Sequence, residues 1–219
     1  MISVLLKYRI AFAMKMLCGV LLVVFIANGC FAQTASDTND INSLNKKSNM
    51  ENTNGTTITL GGNPVHTAGK LPEVGSEIKD FTLTGVDLQE KTLSEFKGKY
   101  IIMNIFPSVN TGICSKSVRK FNEEAASLQN TVVLCISKDL PFAQKAFCGA
   151  EGINNVVMLS DFRNDFGHTY GVQMVDGAMK GLLSRAVIVV NPEGKIVYEQ
   201  QVPEIGQEPD YAPAIAAVK

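Results

Sequence analysis

Residues Tyr100 to Leu128 read YIIMNIFPSVNTGICSKSVRKFNEEAASL, and this stretch decides the fold. Its first part, YIIMNIF, is a β-rich apolar run that stops at Pro107. In its last part Val118, Phe121, Ala125 and Leu128 recur at spacings of three and four, while Lys116, Arg119, Lys120, Glu123 and Glu124 fall largely on the other faces. That period predicts an amphipathic helix from Cys114 onward. A buried strand turning into a helix is the repeating unit of α/β folds, and the turn is where such folds place ligands and reacting groups.

The turn delivers a thiol to a helix start. A helix N-terminus presents unpaired N–H groups and about half a positive charge, which favours an anion such as a thiolate. An ordinary cysteine, with a pKa of about 8.5, is only about 3 % thiolate at pH 7. Enriching the thiolate is not sufficient, because nucleophilicity falls with pKa and a fast reaction also needs groups that stabilise the leaving oxygen. A cysteine by itself is more often an inert core residue. Its neighbours have to decide.

Outward from this stretch the elements alternate. TITLGGNPVHTAG predicts a β-hairpin around Gly61-Gly62-Asn63-Pro64, followed by DFTLTG, a polar turn and KTLSEF. After the Cys114 helix come strand TVVLCIS, helix PFAQKAF, strand NVVMLS, helix FRNDFGHTY, strand RAVIVV, turn NPEG, strand KIVYEQQ and a helix around Tyr211 to Val218. This order predicts α/β architecture: a mixed central sheet flanked by helices, with parallel crossovers and one antiparallel hairpin at Asn191 to Gly194.

The chain has 219 residues, 46 % of them hydrophobic, and a net charge of −1, which gives nucleic acid no electrostatic handle. The unevenness is at the N-terminus. No acidic residue precedes Asp37, Lys7, Arg9 and Lys15 are positive, and Leu17 to Ala27 is an eleven-residue apolar run. That run has the length of a secretory signal core and falls short of the roughly twenty residues of a spanning helix. Residues 1–32 are therefore expected to be an export leader, starting at Met1 or Met14. A retained membrane anchor is the alternative. Cys30-Phe31-Ala32 before Gln33 fits a signal-peptidase site, whereas Ala27-Asn28-Gly29-Cys30 fits a lipoprotein box lacking its usual leucine, with a lipid anchor on Cys30. Residues 33–56 are almost wholly polar and predict a flexible linker, leaving 57–219 as the folded domain. The domain is expected outside the cytoplasm, periplasmic or membrane-anchored.

Other chemistry finds little support. No C-x-x-C occurs, neither His66 nor His168 has the cysteine spacing of a papain-like or zinc site, and no G-x-x-x-x-G-K loop is present. Cys135, inside TVVLCIS, reads as a core thiol. No metal or cofactor is expected.

Pro107, Thr111 and Cys114 fit the pattern P-x-x-x-T-x-x-C, and IFPSVNTGIC resembles the thiol peroxidase subfamily of the peroxiredoxins. NTVVLCISKDLPFAQKAFCGAEG, FRNDFGHTYGV, GLLSRAVIVV and EPDY follow in that subfamily's order and approximate spacing, from about Thr57 to the C-terminus. The resemblance implies a thioredoxin-like fold and a peroxidatic Cys114 that attacks a peroxide oxygen and becomes a sulfenic acid. It implies a resolving Cys148 and an intramolecular Cys114–Cys148 disulfide, returned to thiols by a thioredoxin-like reductant. It further implies that Thr111 hydrogen-bonds the thiolate and the peroxide, that Pro107 shields the site from water, that Arg185 is the cation beside the sulfur, and that the chain forms a homodimer. A guanidinium suits that place because it stays charged and donates several N–H groups at once. Two rivals are an exported thiol-disulfide oxidoreductase, which the missing second cysteine in TGIC disfavours, and a non-enzymatic binding module on the same fold.

Overall fold

The computed structural model describes residues 55–218. The expected leader, with Cys18 and Cys30, and all of the expected linker but Gly55 and Thr56 lie outside the described residues.

The described chain opens with β1 (Thr57–Leu60) and β2 (Asn63–His66), an antiparallel pair. Gly61 and Gly62 make the turn at φ of 58° and 80°, a region open to glycine at little cost. Then come β3 (Thr82–Gly85), β4 (Glu90–Thr92), a 3-10 turn at Leu93–Phe96, β5 (Tyr100–Ile105) and α1 (Gly112–Ala125). They are followed by β6 (Thr131–Ser137), α2 (Pro141–Glu151), β7 (Val157–Ser160), α3 (Phe166–Thr169), β8 (Ala186–Val190), β9 (Ile196–Gln201) and α4 (Tyr211–Ala216).

Seven strands form one mixed sheet in the order β4-β3-β7-β6-β5-β8-β9. β5, β6 and β7 run parallel, joined by crossovers through α1 and α2, and β8 and β9 form the expected antiparallel hairpin. The central strands are buried on both faces, so alternate residues feed two cores. Ile101, Met103 and Ile105 of β5 pack with Phe81, Phe96, Phe166 and Tyr170 on one face. Ile102 and Phe106 pack on the other with Cys114, Val118 and Phe121 of α1, Phe147 and Cys148 of α2, and Ala214 of α4. The ring of Phe121 meets Tyr211 edge-on at 5.2 Å between centroids, which seats α4 against α1.

Several boundaries differ from expectation, most of all in three helices. α1 starts at Gly112 and ends at Ala125, so Cys114 is its third residue; beyond it the chain tightens into i→i+3 bonds, including Leu128 N–H to Ala125 O at 3.3 Å. α2 runs past Phe147 to Glu151 and takes Cys148 into its last turn, ending at Gly152 with φ 65°. FRNDFGHTY yields only the four residues of α3, because the buried Asp161 carboxylate accepts the N–H groups of Phe166 and Gly167, each at 3.0 Å, and the chain between loops around it.

Candidate active site

Cys114 is placed by the start of α1. Thr111 precedes the helix in an extended conformation (φ −106°, ψ 147°), and its carbonyl accepts the first helical bond from Ser115 N–H at 2.9 Å. The cysteine therefore lies among the first N–H groups, which have no intrahelical acceptor. Its side chain is fully buried. The loop before it is fixed by Asp139, whose carboxylate accepts Ser108 Oγ–H at 2.7 Å, Val109 N–H at 2.7 Å and Ser137 Oγ–H at 2.8 Å. Sequence reasoning passed over Asp139. Its one signal was an acidic residue directly after a buried strand, in SKDLPF.

Arg185, just before β8, is 1 % exposed. Its Nε and Nη2 donate to Ile205 O at 3.1 and 3.0 Å, and Nη2 also reaches Cys114 Sγ at 3.4 Å. Nη1 is buried and has no hydrogen-bond partner among the described residues. A buried cationic donor left unmatched is costly, so its place beside a thiol on a pocket wall marks where an acceptor oxygen belongs.

The pocket measures about 240 Å³ and is lined by Leu60, Pro107, Thr111, Gly112, Ile113, Cys114, Met179, Arg185, Ile205 and Gly206. Four of the predicted site residues thus meet: Pro107, Thr111, Cys114 and Arg185. The Thr111 hydroxyl donates to Ser108 O at 3.1 Å, so its proton is committed to the loop and its lone pairs are what it offers the site. Leu60, Met179 and Ile205 come from distant segments, and nothing local in the sequence marked them.

Cys148 is absent from this pocket lining. It is half-buried on α2, packed against the same apolar cluster that holds Cys114. Cys114, Cys135 and Cys148 are all free thiols. Burial pushes Cys148 upward from the ordinary thiol range. Burial pushes Cys135 much further, to about 12, with Asn104 Nδ2–H at 3.6 Å only partly offsetting it. A thiol so placed stays protonated and inert at neutral pH.

Residues 73–215 match the Redoxin family model. The thiol peroxidase of Mycobacterium tuberculosis is 54 % identical over 161 residues, spanning 74 % of this chain and 97 % of that relative. The chain belongs to the redoxin family, among the thiol peroxidases. The thiol peroxidase of Corynebacterium glutamicum is likewise 54 % identical, over 157 residues that cover 72 % of this chain and 95 % of the relative. Among solved structures, a peroxiredoxin-like protein from Aquifex aeolicus superposes with a TM-score of 0.71 at 40 % identity, covering 75 % of this chain and 97 % of its own. The fold is thioredoxin-like α/β, as the resemblance implied.

Proposed function

We propose that the chain reduces hydrogen peroxide and small organic hydroperoxides with Cys114 as the attacking thiolate. The observation that carries this is the unmatched Nη1–H of Arg185 on the wall of the pocket that holds Cys114 Sγ, 3.4 Å from the same guanidinium. The sulfur attacks one peroxide oxygen, the O–O bond breaks, and the distal oxygen leaves as alkoxide or hydroxide. Arg185 stabilises that developing charge and the oxygen leaves as alcohol or water once protonated. Pro107 and the apolar lining keep water out, and the Thr111 oxygen is placed to accept the peroxide O–H.

Cys114 is left as a sulfenic acid. Condensation with the Cys148 thiol forms the disulfide and releases water. A dithiol reductant of thioredoxin type then gives two electrons and two protons to restore both thiols. The working form is a homodimer. No bound cofactor takes part in these steps.

The charged leader and its short apolar run support an exported enzyme, soluble if cleaved after Ala32 and lipid-anchored if Cys30 is acylated.

A coupled assay with peroxide, thioredoxin and its reductase tests the reading. The wild-type chain turns over peroxide and Cys114→Ser does not. Turnover by Cys114→Ser would refute the assignment, and disulfide exchange without peroxide consumption would favour the oxidoreductase reading.

A further inference from the structure

The loop after β9 touches the site through Ile205, whose carbonyl takes two of the Arg185 donors. What fixes that loop is the residue before it. Glu204 Oε1 accepts Gly61 N–H and Gly206 N–H, both at 3.0 Å, and Oε2 accepts Thr59 Oγ–H at 2.8 Å and Gly62 N–H at 3.1 Å. Both oxygens are doubly occupied. Two of the donors are successive amides of the left-handed β1–β2 turn, an arrangement that forms a concave nest for an anion. Backbone bonds reinforce the clamp: Thr59 N–H donates to Pro203 O at 2.7 Å and Ile205 N–H to Thr59 O at 2.8 Å.

Resting on the reading of Cys114 and Arg185 as the reacting pair, we infer that Glu204 is a positioning residue for Arg185, acting through the Ile205 carbonyl. Glu204 itself is absent from the pocket lining; it locks the hairpin turn to the loop that orients the guanidinium. The N-terminal hairpin thereby becomes part of the catalytic apparatus. It supplies Leu60 to the pocket wall and the nest that holds Glu204. Glu204 is held well below the usual carboxylate range, to about 2, first by Gly206 N–H and then by Gly62, Thr59 and Gly61, so it keeps its charge throughout the working range.

A residue that only supported folding would lower every reactivity of Cys114 together. A residue that aims Arg185 weakens the reaction that needs a donor on the leaving oxygen more than one that does not. Reduced full-length protein is therefore mixed with hydrogen peroxide, quenched, and Cys114 oxidation followed by mass spectrometry, with iodoacetamide alkylation of Cys114 as the comparison. Glu204→Gln is expected to slow peroxide oxidation about tenfold and alkylation by less than about threefold, since iodide leaves without a hydrogen bond. Thr59→Val, which removes the hydroxyl shared between Glu204 Oε2 at 2.8 Å and Pro203 O at 3.2 Å and keeps the backbone bonds of the clamp, is expected to shift the same ratio by about twofold and decides the matter if Glu204→Gln does not fold. Equal slowing of both reactions, or a peroxide rate within about twofold of wild type for Glu204→Gln, overturns the proposal. Cys114→Ser run alongside tests the underlying reading separately, because peroxide consumption that survives it condemns Cys114 and not the clamp.

Discussion

Arg119 of α1 donates to Glu151 of α2 at 3.1 Å, so the helices bearing Cys114 and Cys148 are tied to each other across their exposed sides. A second tie lies one turn along. Asn122 Oδ1 accepts the N–H groups of Asn154 and Asn155 at 3.0 and 2.8 Å, and its carbonyl accepts Asn155 Nδ2–H at 3.0 Å. The opposite end of α2 is anchored more deeply, by Gln144 Nε2–H to Ser137 Oγ and Leu159 O at 3.1 and 3.0 Å. The last turn of α2 is thus the part free to open once its surface ties release. A disulfide needs Cα atoms within about 7 Å, and Cys148 starts inside a formed helical turn, so the proposed Cys114–Cys148 bridge would form by unwinding there.

Asn122→Ala should accordingly raise the rate of Cys114–Cys148 bridge formation about threefold after a peroxide pulse, and leave the first oxidation of Cys114 unchanged. Quenched time points with peptide mapping separate the two steps. A bridge rate equal to or below wild type would show that the Asn122 contacts do not hold α2 closed.

The third thiol should stay silent. With Cys135 pushed up to about 12 by burial, iodoacetamide at pH 8 should label Cys148 slowly and Cys135 not at all in the folded protein. Cys135→Ser should keep peroxidase activity within about twofold. Labelling of Cys135 before unfolding, or loss of turnover in that variant, would give it a role beyond packing.

Arg185→Lys keeps the charge and loses the geometry. The guanidinium bonds Ile205 O through Nε and Nη2 while Nη2 faces the sulfur, and an ammonium, whose three N–H groups radiate from one atom on a flexible stem, cannot reproduce that planar fork. Peroxide oxidation of Cys114 should slow about a hundredfold. A variant within threefold of wild type would remove Arg185 from the chemistry.

Much of this was legible in the sequence because the signals are local. The unbroken β-rich apolar run of YIIMNIF and the 3–4 spacing of Val118, Phe121 and Ala125 report backbone geometry within one element, and the hairpins at Gly61 to Pro64 and Asn191 to Gly194 were marked by their Gly and Pro turns. The motif around Cys114 and the distant Arg185 came from resemblance, and the structure brings them together at 3.4 Å. Asp139, Glu204 and Ile205 were not legible. Each acts through hydrogen bonds to segments far along the chain, such as Glu204 to Thr59, 145 positions apart, and no periodicity encodes such a contact. α3 shrank through a nearby contact that hydropathy does not encode: Asp161, five and six positions upstream, takes the amides of Phe166 and Gly167 and sets the helix start there.

The proposed export leader makes a prediction in mass. Intact-mass measurement of protein from its native host should find either Gln33 at the N-terminus or a diacylated Cys30, and fractionation should place the second form on the membrane, since two or more acyl chains anchor stably. A full-length chain in the cytosol would overturn export.

Acid should loosen the hairpin in a way that depends on Glu204. Its folded value, about 2, lies below the 4.5 of an unperturbed glutamate, because Gly206, Gly62, Thr59 and Gly61 all donate to the ionised form. A depressed carboxylate contributes stability that is present above its unfolded pKa and is lost as pH falls through the folded one. The melting temperature of wild type should therefore exceed that of Glu204→Gln by a constant margin from neutral pH down to about 5, and the margin should shrink between about 4.5 and 2 as the carboxyl takes up its proton and comes to resemble the amide. Glu208, held down chiefly by Lys116 at 2.6 Å, titrates in the same direction and remains in both proteins, so the difference between them isolates Glu204. Thermal melts at half-unit pH steps supply the measurement, and a margin that stays constant to pH 2 would show that the four donors do not depend on the charge.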